Sequence, residues 1–203
     1  LRLKQIMSEI RLVIIGSKSD LIRPLLEKAE NNNIFILKVD REEWDLESNL
    51  PSSKTIDRII NFQPTQLLYA AGLNKPLIVK NETTQTILAS LNSHISVNCT
   101  SFLSIVDILQ KNLKNPLIGV HVISSLYGIY GRYSRLPYAV SKHALEGVVK
   151  CLSLEYPETQ IIGYRPGFFK TKLSDKNLSI DMQEKLSKRI AKKRFGLPSE
   201  LSD

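Results

Sequence analysis

Short apolar runs alternate with amphipathic stretches along this chain of 203 residues. Runs at 11–16, 34–39, 66–71, 117–123 and 160–164 have the length and composition of buried strands, and a much shortened strand is predicted at 44–46. Helical spacing of apolar residues predicts helices at 20–31, 52–62, 137–156 and 181–193, and two within 83–113. Strands that alternate with helices are typical of an α/β fold with a doubly wound parallel sheet in three layers.

Composition bounds the class of protein. A hydrophobic content of 42% and a charged content of 24% are ordinary for one globular domain, and no apolar run is long enough to span a membrane. The spacing of Cys99 and Cys151 fits no metal site, so we expect reduced thiols in a cytoplasmic protein. The net charge of +8 suits a solvated helix face or a phosphorylated substrate better than nucleic acid, which is an unlikely partner.

One tyrosine–lysine pair carries the chemistry. Tyr138 and Lys142 are four apart in a predicted helix and therefore share a face. An ammonium beside a phenol favours the phenolate and lowers the pKa of the tyrosine towards the range of an acid/base catalyst. Ser125, thirteen positions upstream, can hold a carbonyl oxygen at the same point. Such a pair alone is common on exposed helix faces, so its interpretation depends on its context.

The sequence Ile-Ser-Ser-Leu-Tyr-Gly at 123–128, followed by Tyr-Ala-Val-Ser-Lys at 138–142, resembles the short-chain dehydrogenase/reductase family. The resemblance implies a Rossmann-like NAD(P)-binding domain over 11–203, with 1–10 as an extension or linker. It also implies that Tyr138 is the acid/base and that Ser125 binds the carbonyl oxygen. Lys142 would lower the pKa of the tyrosine and hold the nicotinamide ribose. Asn98 matches the family's catalytic asparagine, which would hold a water between Lys142 and solvent.

A second matching segment, Arg-Pro-Gly-Phe-Phe-Lys-Thr at 165–171, resembles the family's nicotinamide- and phosphate-binding segment. The cofactor contacts that it implies are Pro166, Gly167, Phe169 and Thr171. The glycine-rich turn departs from the family pattern, because only Gly16 of its three glycines is present and Asp20 and Ile22 replace the others. Phosphate binding would then use the helix N-terminus together with Lys18.

The remaining cofactor contacts also come from the resemblance. Ala71 and Gly72 stand in an altered Tyr-Ala-Ala-Gly segment, where Gly72 leaves room for the adenosine ribose, and Asp45-Leu46 resembles the adenine-contacting pair. Asp40 would bind the ribose hydroxyls of NAD, whereas Arg41 would bind the 2′-phosphate of NADP. The cofactor is therefore NADP or NAD, and a biosynthetic reductase favours NADP.

The chain stops before the helix and final edge strand with which family members normally end. We therefore expect a C-terminally shortened sheet that lacks its last edge strand and exposes apolar surface. A start at Leu1 rather than methionine would fit a domain cut from a larger polypeptide, and a homo-oligomer is the other assembly that we expect.

The predicted function is reduction of a small-molecule carbonyl substrate to an alcohol by hydride transfer. Cations near the substrate side would suit a sugar phosphate or nucleotide-linked sugar, as in surface polysaccharide synthesis; they are Arg132, Arg135, Lys170 and Lys172. Solvated loop charges are the competing interpretation of these four residues. A non-catalytic nucleotide-binding module is the competing function, and the altered glycine-rich turn supports it.

Overall fold

The computed structural model of the protein describes residues 9–32, 34–48 and 50–202, so most of the predicted extension at 1–10 lies outside the described residues. Five parallel strands form one sheet in the order β2-β1-β3-β4-β5. The strands are β1 (Arg11–Ile15), β2 (Phe35–Val39), β3 (Gln66–Tyr69), β4 (Gly119–Ile123) and β5 (Gln160–Tyr164). All pairings are parallel, so the carboxyl ends of the strands meet at one edge, which confirms the predicted α/β doubly wound class.

Helices connect the strands and cover the sheet. They are α1 (Arg23–Asn31), α2 (Ser53–Phe62), α3 (Thr84–Ile95), α4 (Ser101–Asn112), α5 (Leu136–Glu155), α6 (Lys172–Asn177), α7 (Ile180–Arg189) and α8 (Ser199–Ser202). Pro24 and Pro137 occupy the first turns of α1 and α5, where a missing N–H costs no hydrogen bond. Ser52 caps α2, because its hydroxyl accepts from the backbone N–H of Thr55.

The two faces of the sheet bury apolar clusters of different size. The larger cluster lies under α2, α4 and α5, and fully buried Phe102, Ile105 and Leu145 belong to it. The smaller cluster includes Ile22, just before α1, which packs with Ile14 of β1. Burial of this apolar surface, at roughly 25 cal/mol per Å², is the main term that stabilises the three layers.

The shortened strand predicted at 44–46 is wrong. The chain turns back after β2, since the backbone N–H of Trp44 donates to the carbonyl oxygen of Asp40, and a 3₁₀ turn follows at Leu46–Ser48. Trp44 is buried in the larger cluster without pairing to the sheet. The apolar character of Trp44 therefore indicates a core residue and not a strand.

The two helices predicted within 83–113 are present and are joined without a break. A π-helical turn, Ser96–Thr100, connects α3 to α4 and places Asn98 at its centre. Asn98 is fully buried. A π turn inserts an extra residue into the helix and is frequent at functional sites.

Both outer strands, β2 and β5, lack a strand neighbour among the described residues, and five strands are consistent with the predicted shortened edge. At the opposite edge, Phe35 of β2 is half exposed. Both cysteines are free; Cys99 is buried and Cys151 exposed. In the part of the chain that the structure describes, no helix combines the length and apolarity needed to cross a membrane.

Candidate active site

Two adjoining clefts open at the carboxyl edge of the sheet. β1 leads to β2 on one side and lies beside β3 on the other, so the strand order reverses between β1 and β3. In open α/β sheets this reversal leaves a crevice where ligands bind. The first cleft continues over β4 and α5, and the second lies beside β2. Both are lined by Ser19, Ala70, Ala71 and Gly72.

The second cleft contains the residues assigned to the adenosine end of the cofactor. These are Gly16, Lys18, Asp40, Arg41, Asp45, Leu46, Ala71 and Gly72. Gly16 has a φ of +84°, and a Cβ at this position would lie 2.7 Å from the backbone nitrogen of Ala71. Only glycine therefore fits the turn here, although the other family glycines are absent.

Two side chains in this turn have partners that the sequence did not predict. The ammonium of Lys18 lies 2.5 Å from the Glu42 carboxylate in an exposed ion pair. A cofactor phosphate would therefore compete with this carboxylate for the ammonium. The carboxylate of Asp20, which replaces a family glycine, accepts from the Arg23 guanidinium at 2.7 Å and from the backbone N–H of Lys172 at 3.1 Å. Asp20 thus ties the turn to the start of α6 across the mouth of the first cleft.

The first cleft contains the other predicted cofactor contacts and three of the four predicted catalytic residues. The cofactor contacts here are Tyr138, Lys142, Pro166, Gly167, Phe169 and Thr171, together with the shared Ala71 and Gly72. Ser125 ends the segment after β4 in extended conformation, and its hydroxyl accepts from the N–H of Tyr127 at 3.2 Å. Tyr138 and Lys142 extend from the first two turns of α5.

Lys142 lies beside Tyr138, with its Nζ 5.9 Å from the centre of the phenol ring. The ammonium donates a 2.8 Å hydrogen bond to the carbonyl oxygen of Ile123 at the end of β4. This bond fixes the lysine at the strand end, between the phenol and Gly72. A Cβ on Gly72 would stand 4.0 Å from Nζ, so the glycine backbone lies close to the lysine ammonium.

The predicted fall in the pKa of Tyr138 is wrong for this structure. Burial raises the pKa of the Tyr138 phenol, although hydrogen bonding to Ser125 acts in the opposite direction. Burial also lowers the pKa of Lys142 to about 8, so the lysine remains mostly protonated at neutral pH, and the burial of the phenol itself is what raises the tyrosine pKa. Tyr138 therefore keeps its proton at neutral pH, as a proton donor must.

Asn98 lies behind the first cleft rather than in its lining. Its Oδ1 accepts from the N–H of Leu73 at 2.7 Å, and its Nδ2 donates to the Leu73 carbonyl oxygen at 2.9 Å and to Ser141 Oγ at 2.8 Å. Ser141 in turn donates to the carbonyl oxygen of Tyr138 at 2.8 Å. The asparagine thus holds the segment after Gly72 against α5; its predicted role in binding a water stays a prediction.

A hydrogen-bonded network supports the serine segment from below, and the sequence did not predict it. Ser124 Oγ and Arg165 Nη2 each donate a 2.5 Å hydrogen bond to the carboxylate of Glu146. Glu146 follows Lys142 by one helical turn, so a search of that helix face for buried charge would have found it. The network joins β4, α5 and the segment after β5.

Comparison with known proteins shows which family the sequence matches. The sequence model of one protein family, described as short chain dehydrogenase, matches residues 4–180. A 3-oxoacyl-[acyl-carrier-protein] reductase FabG of Buchnera aphidicola subsp. Schizaphis graminum is 31% identical over 112 residues, 54% of this chain and 46% of that protein. A Dehydrogenase/reductase SDR family protein 7-like of Dictyostelium discoideum is 35% identical over 91 residues, 45% of this chain and 27% of that protein. The matches thus span less than half the length of these curated relatives.

Solved structures share the fold. The structure titled "ElxO with NADP Bound" superposes with a TM-score of 0.80 at 16% identity, over 96% of this chain and 89% of that one. An aldohexose dehydrogenase of Thermoplasma acidophilum gives a TM-score of 0.77 at 17% identity, over 96% of this chain and 84% of that one.

Proposed function

The chain belongs to the short chain dehydrogenase family, and from this premise we propose that it reduces a carbonyl compound to an alcohol with a nicotinamide nucleotide. The observation that carries the proposal is the position of Ser125, Tyr138 and Lys142 in one cleft at the strand-order reversal. A Tyr–Lys pair on a free surface would carry no such meaning. Here it adjoins a second cleft, lined by Gly16, Asp40 and Arg41, in the crevice where open α/β sheets bind ligands.

Each catalytic residue of the first cleft has a different role in the proposed reaction. A bound reduced nicotinamide would supply the hydride and its electron pair. The Ser125 hydroxyl donates a hydrogen bond to the carbonyl oxygen and orients it towards Tyr138. The Tyr138 phenol gives its proton to that oxygen, so one C–H and one O–H bond form as the C=O double bond becomes single. The Lys142 ammonium stabilises the phenolate that remains until a solvent proton replaces the lost one.

The two clefts also fit the cofactor that the family uses. Gly16 and Gly72 line the second cleft, so no side chain projects into it at either position. Asp40 and Arg41 lie where the adenosine ribose would bind, and we propose NADP rather than NAD because Arg41 is exposed and available to a 2′-phosphate. One similar fold was solved with NADP and another with NADH, which supports this class of ligand.

The finer assignments stay predictions. A sugar phosphate or nucleotide-linked sugar as substrate, and a role in surface polysaccharide synthesis, depend on the cations near the substrate side and on the resemblance of the sequence. The cytoplasmic location, and assembly as a homo-oligomer or as a domain of a larger polypeptide, also stay predictions.

Calorimetry with NADPH and NADH is the first test of the proposal, and a carbonyl-substrate screen that follows reduced-nicotinamide absorbance is the second. The Tyr138→Phe variant is expected to lose at least about 100-fold in kcat while nucleotide affinity changes less than about twofold. Tyr130→Phe is the matched control, because Tyr130 is 62% exposed and lines neither cleft. Nucleotide binding with no turnover of any carbonyl compound would favour the non-catalytic module instead.

A further inference from the structure

Two arginine side chains line the first cleft beside Tyr138. Arg135 precedes the tyrosine by three positions at the start of α5, and Arg132 lies three positions earlier in the preceding loop. Arg135 is only 5% exposed, and Arg132 is partly buried. The interpretation of these residues as solvated loop charges is therefore wrong for both. Lys170 and Lys172, the other two cations of this region, are exposed and do not line the cleft.

Neither guanidinium has a carboxylate partner among the described residues. Arg135 Nη1 donates to the Asn74 side-chain oxygen at 3.0 Å and contacts the Asn74 carbonyl oxygen at 3.4 Å. Arg132 donates to the Tyr127 hydroxyl and stacks over the rings of Tyr127 and Phe168, at 5.5 and 5.3 Å from their centres. These neutral contacts orient both side chains and leave their charges uncompensated.

An uncompensated buried cation is costly, because a protein interior solvates charge poorly. The two arginines also repel each other: burial and then the neighbouring Arg132 lower the pKa of Arg135. Apolar side chains also line this cleft, among them Leu126, Leu173 and Leu178, and an apolar lining screens a charge less than water does. Asp20 is the one acidic residue described in the lining of this cleft, and it pairs with Arg23.

We infer that the carbonyl substrate is an anion, whose carboxylate or phosphate group binds Arg132 and Arg135 while its carbonyl oxygen meets Ser125 and Tyr138. This inference rests on the proposed function and adds the substrate class to it. A guanidinium presents paired N–H donors that match the oxygens of either group. Arg135 precedes Tyr138 by less than one helical turn, and both arginines line the same cleft as Ser125 and Tyr138, so the anionic group would bind in the cleft that holds the reacting carbonyl.

Matched carbonyl pairs test the charge requirement. 4-Carboxybenzaldehyde and its methyl ester have the same reacting aldehyde, and only the first carries a carboxylate charge. Dihydroxyacetone phosphate and dihydroxyacetone are the corresponding pair for a phosphate group. With NADPH, kcat/KM is expected to be at least about tenfold higher for the charged member of one pair or both. The pair that shows the larger difference in kcat/KM indicates whether the site recognises a carboxylate or a phosphate.

Three variants locate the effect. Arg132→Gln is expected to lower the charged-to-neutral ratio of kcat/KM about tenfold, mainly by raising KM for the charged compound. Arg135→Lys keeps the charge but loses the paired N–H donors of the guanidinium, so it should lower the same ratio by a smaller factor. Lys114→Gln is the charge-matched control; Lys114 is exposed and lies between α4 and β4 at the opposite edge of the sheet, so the ratio should stay unchanged. Circular dichroism checks that each variant is folded.

The outcomes separate this inference from the proposed function. Turnover of neutral and charged members at equal kcat/KM would refute the anionic substrate and leave the reductase standing. A charged-to-neutral ratio of kcat/KM that is unchanged in folded Arg132→Gln would also refute the anionic substrate and leave the reductase standing. If no carbonyl compound is reduced, calorimetry with 4-carboxybenzyl alcohol and its methyl ester still measures binding at the arginines. Binding of the acid but not of the ester, with the binding lost in Arg132→Gln, would support the anionic substrate. Equal binding of acid and ester would overturn the inference.

Discussion

The hydroxyl of Ser124 donates a 2.5 Å hydrogen bond to the carboxylate of Glu146, which stands on the same helix face as Lys142. Because Ser124 precedes Ser125, this bond fixes the backbone that presents the predicted carbonyl-binding hydroxyl. Arg165 closes the network from the segment after β5. Burial raises the pKa of Glu146, but the bonds to Arg165 and Ser124 outweigh it and keep that pKa below its ordinary value.

Replacement of Glu146 by Gln should therefore weaken both stability and positioning. The variant loses the carboxylate charge and one of its two acceptor oxygens, and exposed Arg165 recovers water as a partner, so we expect a loss of about 1–2 kcal/mol. We also expect kcat to fall with little change in nucleotide affinity. Urea unfolding and calorimetry with NADPH measure the two effects. Unchanged stability and kcat would show that the network does not support the site.

Gly16 is required by its conformation and by its contact with Ala71. In Gly16→Ala, the positive φ and the Cβ at 2.7 Å from the Ala71 nitrogen should together cost about 2–4 kcal/mol. Gly147→Ala is the matched control, because no atom lies within 4 Å of its added Cβ inside α5. That control should gain about 0.5–1 kcal/mol through higher helix propensity. Urea midpoints that shift equally in both variants would contradict the steric argument.

The pKa of Lys142 makes stability depend on pH. Since that pKa is about 8 in the folded chain and near 10.5 ordinarily, the unfolded chain binds more protons between these values. The penalty for burying the charged ammonium is present below pH 8 and is relieved as the pH rises. Between pH 7.5 and 9 this relief is worth about 1 kcal/mol. Urea unfolding at both pH values should show the gain in the natural chain and a smaller one in Lys142→Met. Equal gains would contradict a depressed lysine pKa.

Much of the fold could be predicted because buried parallel strands are short apolar runs separated by amphipathic helices. The failures have physical causes. Trp44 fills part of the larger core cluster without belonging to a strand, and composition alone cannot distinguish such a core residue from a strand residue. The burial of Arg135 depends on a distant segment that covers it, where Leu77 pairs with the arginine backbone. The pKa of Tyr138 depends on burial, which four-residue spacing does not report.

Arg41 decides the nucleotide preference that we propose. Asp40 accepts a 2.8 Å hydrogen bond from Ser17, so its carboxylate is already held, whereas Arg41 is exposed beside the second cleft. If Arg41 binds the 2′-phosphate, Arg41→Ala should weaken NADPH binding about 5–20-fold, equivalent to roughly 1–2 kcal/mol, and leave NADH within about twofold. Calorimetry with both nucleotides measures this, and Lys114→Gln controls for the loss of one charge. Equal losses for NADPH and NADH would assign Arg41 to a part that both cofactors share, and preference for NADH in the natural chain would favour Asp40 as the determinant.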